Sequence, residues 1–202
     1  PIFTIAEIGL NHNGDIDIAR EMIDAAHNAG CSSVKFQNFS ADDVYIEGSK
    51  AGKYELLGQN IPIYELHKRL EISRDFMREA KAYAEAKGMV FFSAPMGRRS
   101  LDDLVALNVN LLKIASYEVS NIPWVREVAN TRLPIIMSLG GASLSEVDAA
   151  LNEIYKVHEN VAVMHCVIKY PANYSDANLA SIQSLKNILG IPVGFSNNGF
   201  KN

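Results

Sequence analysis

Short apolar runs recur along the chain at Phe3–Ile8, Ser33–Phe36, Met89–Phe92, Leu111–Ala115, Ile135–Met137, Val161–Val167 and Val193–Phe195. Unbroken apolarity over so few residues suits parallel strands covered on both faces. Between the runs, apolar positions follow helical spacing. Ile16, Ala19, Ile23 and Ala26 make one such stripe after Gly14-Asp15, and Gly30 closes it. Ser73 is placed to cap a helix carrying Phe76, Ala80 and Tyr83, ended by Gly88. Ser143 and Glu146 form a capping box ahead of Val147, Leu151 and Ile154. Leu179, Ile182 and Leu185 line a further helix closed by Gly190, and shorter helices fit Leu101–Leu107 and Pro123–Ala129. Strand and helix in alternation predict an α/β fold with a parallel sheet, either doubly wound or closed as a barrel. The stretch from Asn38 to Ile72, polar and Gly-containing with Tyr45, Tyr54 and Tyr64, is expected to be one long irregular loop.

The polar residues favour the barrel. The apolar runs end in Glu7, in Lys35 and Gln37, in Ser93, in Lys113 and Ser116, in Ser138, in His165, and in Ser196 and Asn197. A barrel brings all of these to one mouth, where catalytic groups sit, whereas an open sheet gathers only those near its switch point. Strand parity puts Lys35 and Gln37 on one face, with Val34 and Phe36 on the other. A lysine inside an apolar run must shed water from its ammonium, which is costly without an anionic partner. Lys35 and Lys113 therefore either pair with Glu7 as a structural plug or hold an anionic substrate with a carboxylate in attendance. Lysines, serine hydroxyls and helix N-termini together suit a phosphate and a carboxylate. His12, in the Asn-His-Asn-Gly segment, is expected to be a structural hydrogen-bonder, and His165 fits core or site equally well. His27, His67 and His158 are expected at the surface.

Composition narrows the classes. Of 202 residues, 48% are hydrophobic and 21% charged, an ordinary globular balance. The formal charge of −4 and the pI near 5.7 give no footprint for nucleic acid. No apolar stretch approaches the roughly 20 residues of a membrane helix, and the first residues read as a strand and not as a signal peptide. Cys31 and Cys166 make no disulfide framework and are expected as small core residues of a cytoplasmic protein. Neither a P-loop nor a dinucleotide fingerprint is present.

Six strings, in order along the chain, resemble the motifs of the sialic acid synthase family, which includes synthases of N-acetylneuraminate, legionaminate and pseudaminate and spore-coat polysaccharide homologues. They are Ala6 to Gly14, Val34-Lys35-Phe36-Gln37, Lys113-Ile114-Ala115-Ser116 with Glu118, Ser138 in Met-Ser-Leu-Gly-Gly, His165-Cys166 followed by Tyr170-Pro171, and Val193-Gly194-Phe195-Ser196. The resemblance implies a TIM (β/α)8 barrel. It implies phosphoenolpyruvate-dependent condensation with an N-acetylated amino-sugar aldehyde, giving a nonulosonic acid and phosphate. By the same resemblance, Lys35, Lys113, Ser116 and Ser138 hold phosphoenolpyruvate, Glu7 is the catalytic carboxylate, and Gln37, Glu118 and Tyr170 face the sugar. A divalent metal, manganese or magnesium, and a possible homodimer are also implied.

Three departures accompany the match. Asn198 stands where the family has a metal-binding His, and Ala94 stands where it has a Thr after Ser93. The chain ends at Asn202, so residues 1–202 are expected to form the barrel domain with seven strands, without its C-terminal strand and helix and without an antifreeze-like domain. Two other functions stay open: a sugar- or phosphate-binding barrel with impaired catalysis, and a class I Schiff-base aldolase.

Overall fold

The structure is a computed structural model and describes residues 2–47, 53–56 and 59–199. The chain forms two compact units, Pro1–Asn110 and Leu111–Asn202.

In the first unit, β1 (Ile5–Gly9), β2 (Ser33–Phe39) and β5 (Val90–Met96) lie parallel in the order β1-β2-β5. The crossovers are α1 (Ile16–Asn28) and α4 (Arg74–Ala86). Asp15 caps α1 by accepting from the amides of Asp17 and Ile18, and Ser73 caps α4 through the amide of Phe76. The stripes Ala19, Ile23, Ala26 and Met77, Ala80, Ala84 are buried and seat both helices on the sheet. Gly30 and Gly88 follow these helices with φ of 77° and 75°, the left-handed geometry the sequence reserved for glycine. After β5 comes α5 (Arg98–Ala106).

The segment from Asn38 to Ile72 is not a single irregular loop. It contains α2 (Ala41–Val44), an antiparallel hairpin of β3 (Lys53–Leu56) and β4 (Gln59–Pro62), and α3 (Ile63–Leu70). Elements of four residues are too short for periodicity to register. The helices are tied by contacts no local pattern reveals: Tyr64 Oη and Lys68 Nζ donate to Asp42 at 2.7 and 3.0 Å, and Glu71 accepts from the amide of Ala41 at 2.6 Å. The Tyr54 side chain lies outside the described residues.

In the second unit, β6 (Leu112–Ile114), β7 (Ile135–Ser138), β8 (Val161–Cys166) and β9 (Val193–Ser196) are parallel and ordered as in the sequence. The helices between them are α6 (Ile122–Asn130), α7 (Leu144–Tyr155) and α8 (Ala180–Leu189). The expected capping box of Ser143 and Glu146 opens α7, and Gly190, with φ of 68°, closes α8.

Register assigns the faces. On β6, β7 and β8, Leu112, Ile114, Ile135, Met137, Val161 and Val163 are buried on the helix-covered side. The opposite face carries Lys113 beside Ile136, then Ser138 beside Met164 and Gly194, then Cys166 beside Ser196. In the first unit the corresponding face carries Glu7, Lys35 and Phe92, followed by Gln37 and Ala94.

Cys31 and Cys166 are half-buried and not core residues as expected, because Cys31 follows the exposed end of α1 and Cys166 sits at the end of β8. His27 is exposed, as expected; His67 and His158 are partly buried. His67 is drawn in by Tyr45 and Phe39, whose rings lie 4.8 and 5.2 Å away.

Candidate active site

In the first unit, Lys35 Nζ lies 2.6 Å from Glu7 Oε2. The lysine side chain is 11% exposed and the glutamate 48%. The pair is thus buried at its cation and open at its anion. A structural plug would hide both charges, since a half-solvated carboxylate recovers little of the lysine's desolvation cost. A β-bulge sets this geometry: Glu7 pairs with Lys35, but Phe36 pairs with Gly9, so Ile8 is skipped. Gly9 takes φ of 57°, and a Cβ there would lie 3.3 Å from Glu7 Oε1. The bulge re-aims the end of β1, and Gly9 leaves room for the carboxylate. Gln37 lies one layer beyond Lys35, level with Ala94.

His12 belongs to the other face. It is fully buried, its ring 4.7 Å from Phe76 and 5.7 Å from Phe36, which share the helix-covered side. Its Nδ1 accepts from the Gly14 amide at 2.9 Å. Burial pushes its pKa below the usual value, with the Gly9 carbonyl partly opposing. His12 is therefore the structural hydrogen-bonder expected of it. Ser93 also lies on that side, level with Phe36, so the hydroxyl in Ser93-Ala94 is turned away from Lys35.

In the second unit, Lys113 is buried, and its Nζ donates to the Ile114 carbonyl at 2.7 Å. A turn of 3₁₀ helix at Ser116–Glu118 follows β6 directly. Glu118 is buried, and its Oε2 accepts from Trp124 Nε1 at 2.8 Å. Burial raises its pKa to about 7, against the opposing pull of the Trp124 hydrogen bond and the Lys113 charge. Sequence reasoning missed Trp124, an apolar helix residue whose polar edge matters only once α6 folds back on this turn. Ser138 is buried at the end of β7, one layer beyond Lys113. Ser116 Oγ accepts from the Gly140 amide at 3.1 Å, which joins the end of β6 to the turn after β7. Tyr170 is 78% exposed in the loop after β8.

His165 is level with Phe195 and stacked on it at 5.9 Å, and its Nε2 lies 2.8 Å from the Ala177 carbonyl. Among the described contacts it serves the β8–α8 connection. Asn198 donates its amide to the Val167 carbonyl at 2.6 Å and to Cys166 Sγ at 3.6 Å, tying the end of β9 to that of β8. Its one remaining oxygen is a neutral donor, a weaker ligand than an imidazole for the metal implied by resemblance. Among the described residues no group of three or more His, Cys, Asp or Glu could hold a metal ion. On the donor chemistry of Asn198, this end of β9 is a poor fit for a divalent metal.

The strand-end motifs, in this order and on these faces, match a known group. The family model described as the NeuB family matches residues 22–199. The chain belongs to the NeuB family. Among its relatives, N,N'-diacetyllegionaminic acid synthase of Legionella pneumophila is 36% identical over 96% of this chain and 56% of its own length. The crystal structure of N-acetylneuraminic acid (sialic acid) synthetase from Leptospira borgpetersenii, in complex with citrate, superposes with a TM-score of 0.88 at 34% identity, over 98% of this chain and 66% of that one. The spore coat polysaccharide biosynthesis protein SpsE of Bacillus subtilis does so with a TM-score of 0.83 at 34% identity, over 98% and 53%. The NeuB-family chain thus has the α/β fold of the sialic acid synthases, with seven parallel strands of the barrel class expected from the sequence. It spans about half the length of the curated relatives it matches, 56% for the Legionella enzyme.

Proposed function

We propose that this protein condenses phosphoenolpyruvate with the aldehyde of an open-chain N-acetylated amino sugar, releasing phosphate and a nonulosonic acid. The observation that carries the reading is the Glu7–Lys35 pair: a buried ammonium 2.6 Å from a half-exposed carboxylate at the strand ends of a NeuB-family chain. The names of its relatives, synthases of legionaminic and N-acetylneuraminic acids, support the product class.

Phosphoenolpyruvate brings a phosphate and a carboxylate. Lys35 and Lys113 are assigned to supply positive charge, and Ser116 and Ser138 to supply hydroxyl donors, the groups that suit a phosphate and a carboxylate. The methylene carbon of phosphoenolpyruvate bonds to the sugar aldehyde carbon, whose oxygen takes up a proton. The cation left at C2 adds water, and Glu7 is the group to orient that water and accept its proton. The resulting tetrahedral carbon expels phosphate by C–O cleavage and becomes the ketone. One water is consumed and one phosphate released. Gln37, Glu118 and Tyr170 are assigned to the sugar.

Phosphate release from phosphoenolpyruvate, followed with N-acetylmannosamine and related sugars on the full-length protein, tests the reading. Release that depends on both substrates and is lost in Lys35→Met supports it. Phosphoenolpyruvate binding without release favours the binding-barrel alternative, to which Ala94 and Asn198 point. A borohydride-stable lysine adduct with pyruvate favours the aldolase.

A further inference from the structure

The turn after β7 has a feature that the proposed chemistry has not used. Gly140 is buried, and no side chain could replace its hydrogen without displacement. A Cβ there would meet Ile168 Cγ2 at 2.6 Å, the Cys166 carbonyl at 2.9 Å and Ser116 Oγ at 3.1 Å. Two of these neighbours are fixed: Cys166 presents backbone, and Ser116 Oγ is held by the Gly140 amide itself. Ile168, 62% exposed, lies against the Cα side of Gly140 and Gly141. The close approach and the bond from this amide to Ser116 meet at the same residue.

That bond has a chemical consequence. A serine oxygen has two lone pairs and one hydrogen. With one lone pair taken by the Gly140 N–H, the hydroxyl hydrogen is confined to the remaining directions. Among the described residues no acceptor is recorded for it, and Ser116 is only half-buried. We propose that Gly140 is a positioning residue that commits the Ser116 hydroxyl to donate, setting it as a ready hydrogen-bond donor to the anionic substrate. This rests on the reading of Ser116 as a phosphoenolpyruvate contact. It deepens that reading by naming which way the hydroxyl works and what fixes it. A hydroxyl free to rotate offers lone pair and hydrogen alike, and a lone pair repels an anion. One oriented beforehand loses no rotational freedom on binding.

The test is a double-mutant cycle on phosphoenolpyruvate binding, measured by calorimetry on the full-length protein. Ser116→Ala should weaken binding by about 10-fold or more, the loss of one hydrogen bond to a charged group. Gly140→Ala, which disturbs the hydroxyl's orientation but leaves it in place, should weaken it by less. The double variant should bind no worse than the weaker single one, since without the Ser116 hydroxyl the Gly140 amide has nothing left to orient. Losses that multiply would overturn the proposal, because Gly140 would then act independently of Ser116. A wild type that binds no phosphoenolpyruvate would overturn the synthase reading and this inference with it, a result distinct from multiplied losses. A second measurement does not depend on Gly140→Ala folding. The Gly140 amide proton resonance should move on saturation with phosphoenolpyruvate in wild type and stay still in Ser116→Ala saturated to the same degree. Equal movement in both would also overturn it.

Discussion

At Glu118, burial, the Trp124 indole and the Lys113 charge compete, and burial wins, holding the carboxyl near pKa 7. An unfolded glutamate titrates near 4.3. Between about 4.3 and 7 the folded chain therefore holds a proton that the unfolded chain has lost, so stability falls as pH rises through this window and levels off above it. Glu118→Gln keeps an oxygen for Trp124 and removes the ionisation. It should raise the urea midpoint relative to wild type at pH 8, with the difference vanishing near pH 4. A constant difference across that range would contradict the assignment. At Lys35 the expectation concerns binding. Lys35→Met removes the cation 2.6 Å from Glu7 while keeping the apolar stem. The fold should persist, and phosphoenolpyruvate affinity should fall by about 30-fold or more, as expected when a buried cation that meets an anion is removed. The measurement is calorimetric titration beside a thermal melt. Unchanged affinity would remove Lys35 from the anion site.

Two helix features of the second unit carry their own predictions. The capping box of α7 has Ser143 accepting from the Glu146 amide and Glu146 accepting from the Ser143 amide. Ser143→Ala should lower unfolding free energy by about 1 kcal/mol in urea titration. Helices α6 and α7 are pinned together by Glu153, which accepts from Arg126 and Lys156 and is held down at a pKa of about 2, chiefly by Arg126. A depressed carboxylate contributes stability above its unfolded pKa and loses it as pH falls through the folded value. Glu153→Gln should therefore destabilise the chain at pH 7, with the deficit shrinking as pH drops from about 4 toward 2. These features differ in how far the sequence discloses them. The capping box, the Ser73 cap and the glycines closing α1, α4 and α8 are local: a residue type and its offset suffice. The hairpin of β3 and β4 is hidden because its strands are four residues long. The Glu118–Trp124 bond and the Ser116–Gly140 bond join neighbours that meet only after a turn has folded, so no periodicity announces them.

Across the molecule, alternation of strand and helix was legible, and so was the concentration of polar residues at strand ends. Parity alone placed Lys35 and Gln37 opposite Val34 and Phe36, and the register agrees. Parity did not separate Ser93 from the site and says nothing of His12. His12 sits in a loop without a face, and Ser93 is one residue from Ala94 on the other side of the strand. The half-buried end of β8 is where sequence hydrophobicity misleads, as Cys166 shows. No helix among the described residues is long and apolar enough to cross a membrane. The central claim is a carbon–carbon condensation that breaks the C–O bond of phosphoenolpyruvate. It is tested most directly with phosphoenolpyruvate carrying oxygen-18 at the bridging position, incubated with the full-length protein and an N-acetylated amino sugar. The account predicts that the label leaves in inorganic phosphate while the sugar acid gains its C2 oxygen from water. Label retained in the organic product, or phosphate released without any sugar, would contradict it.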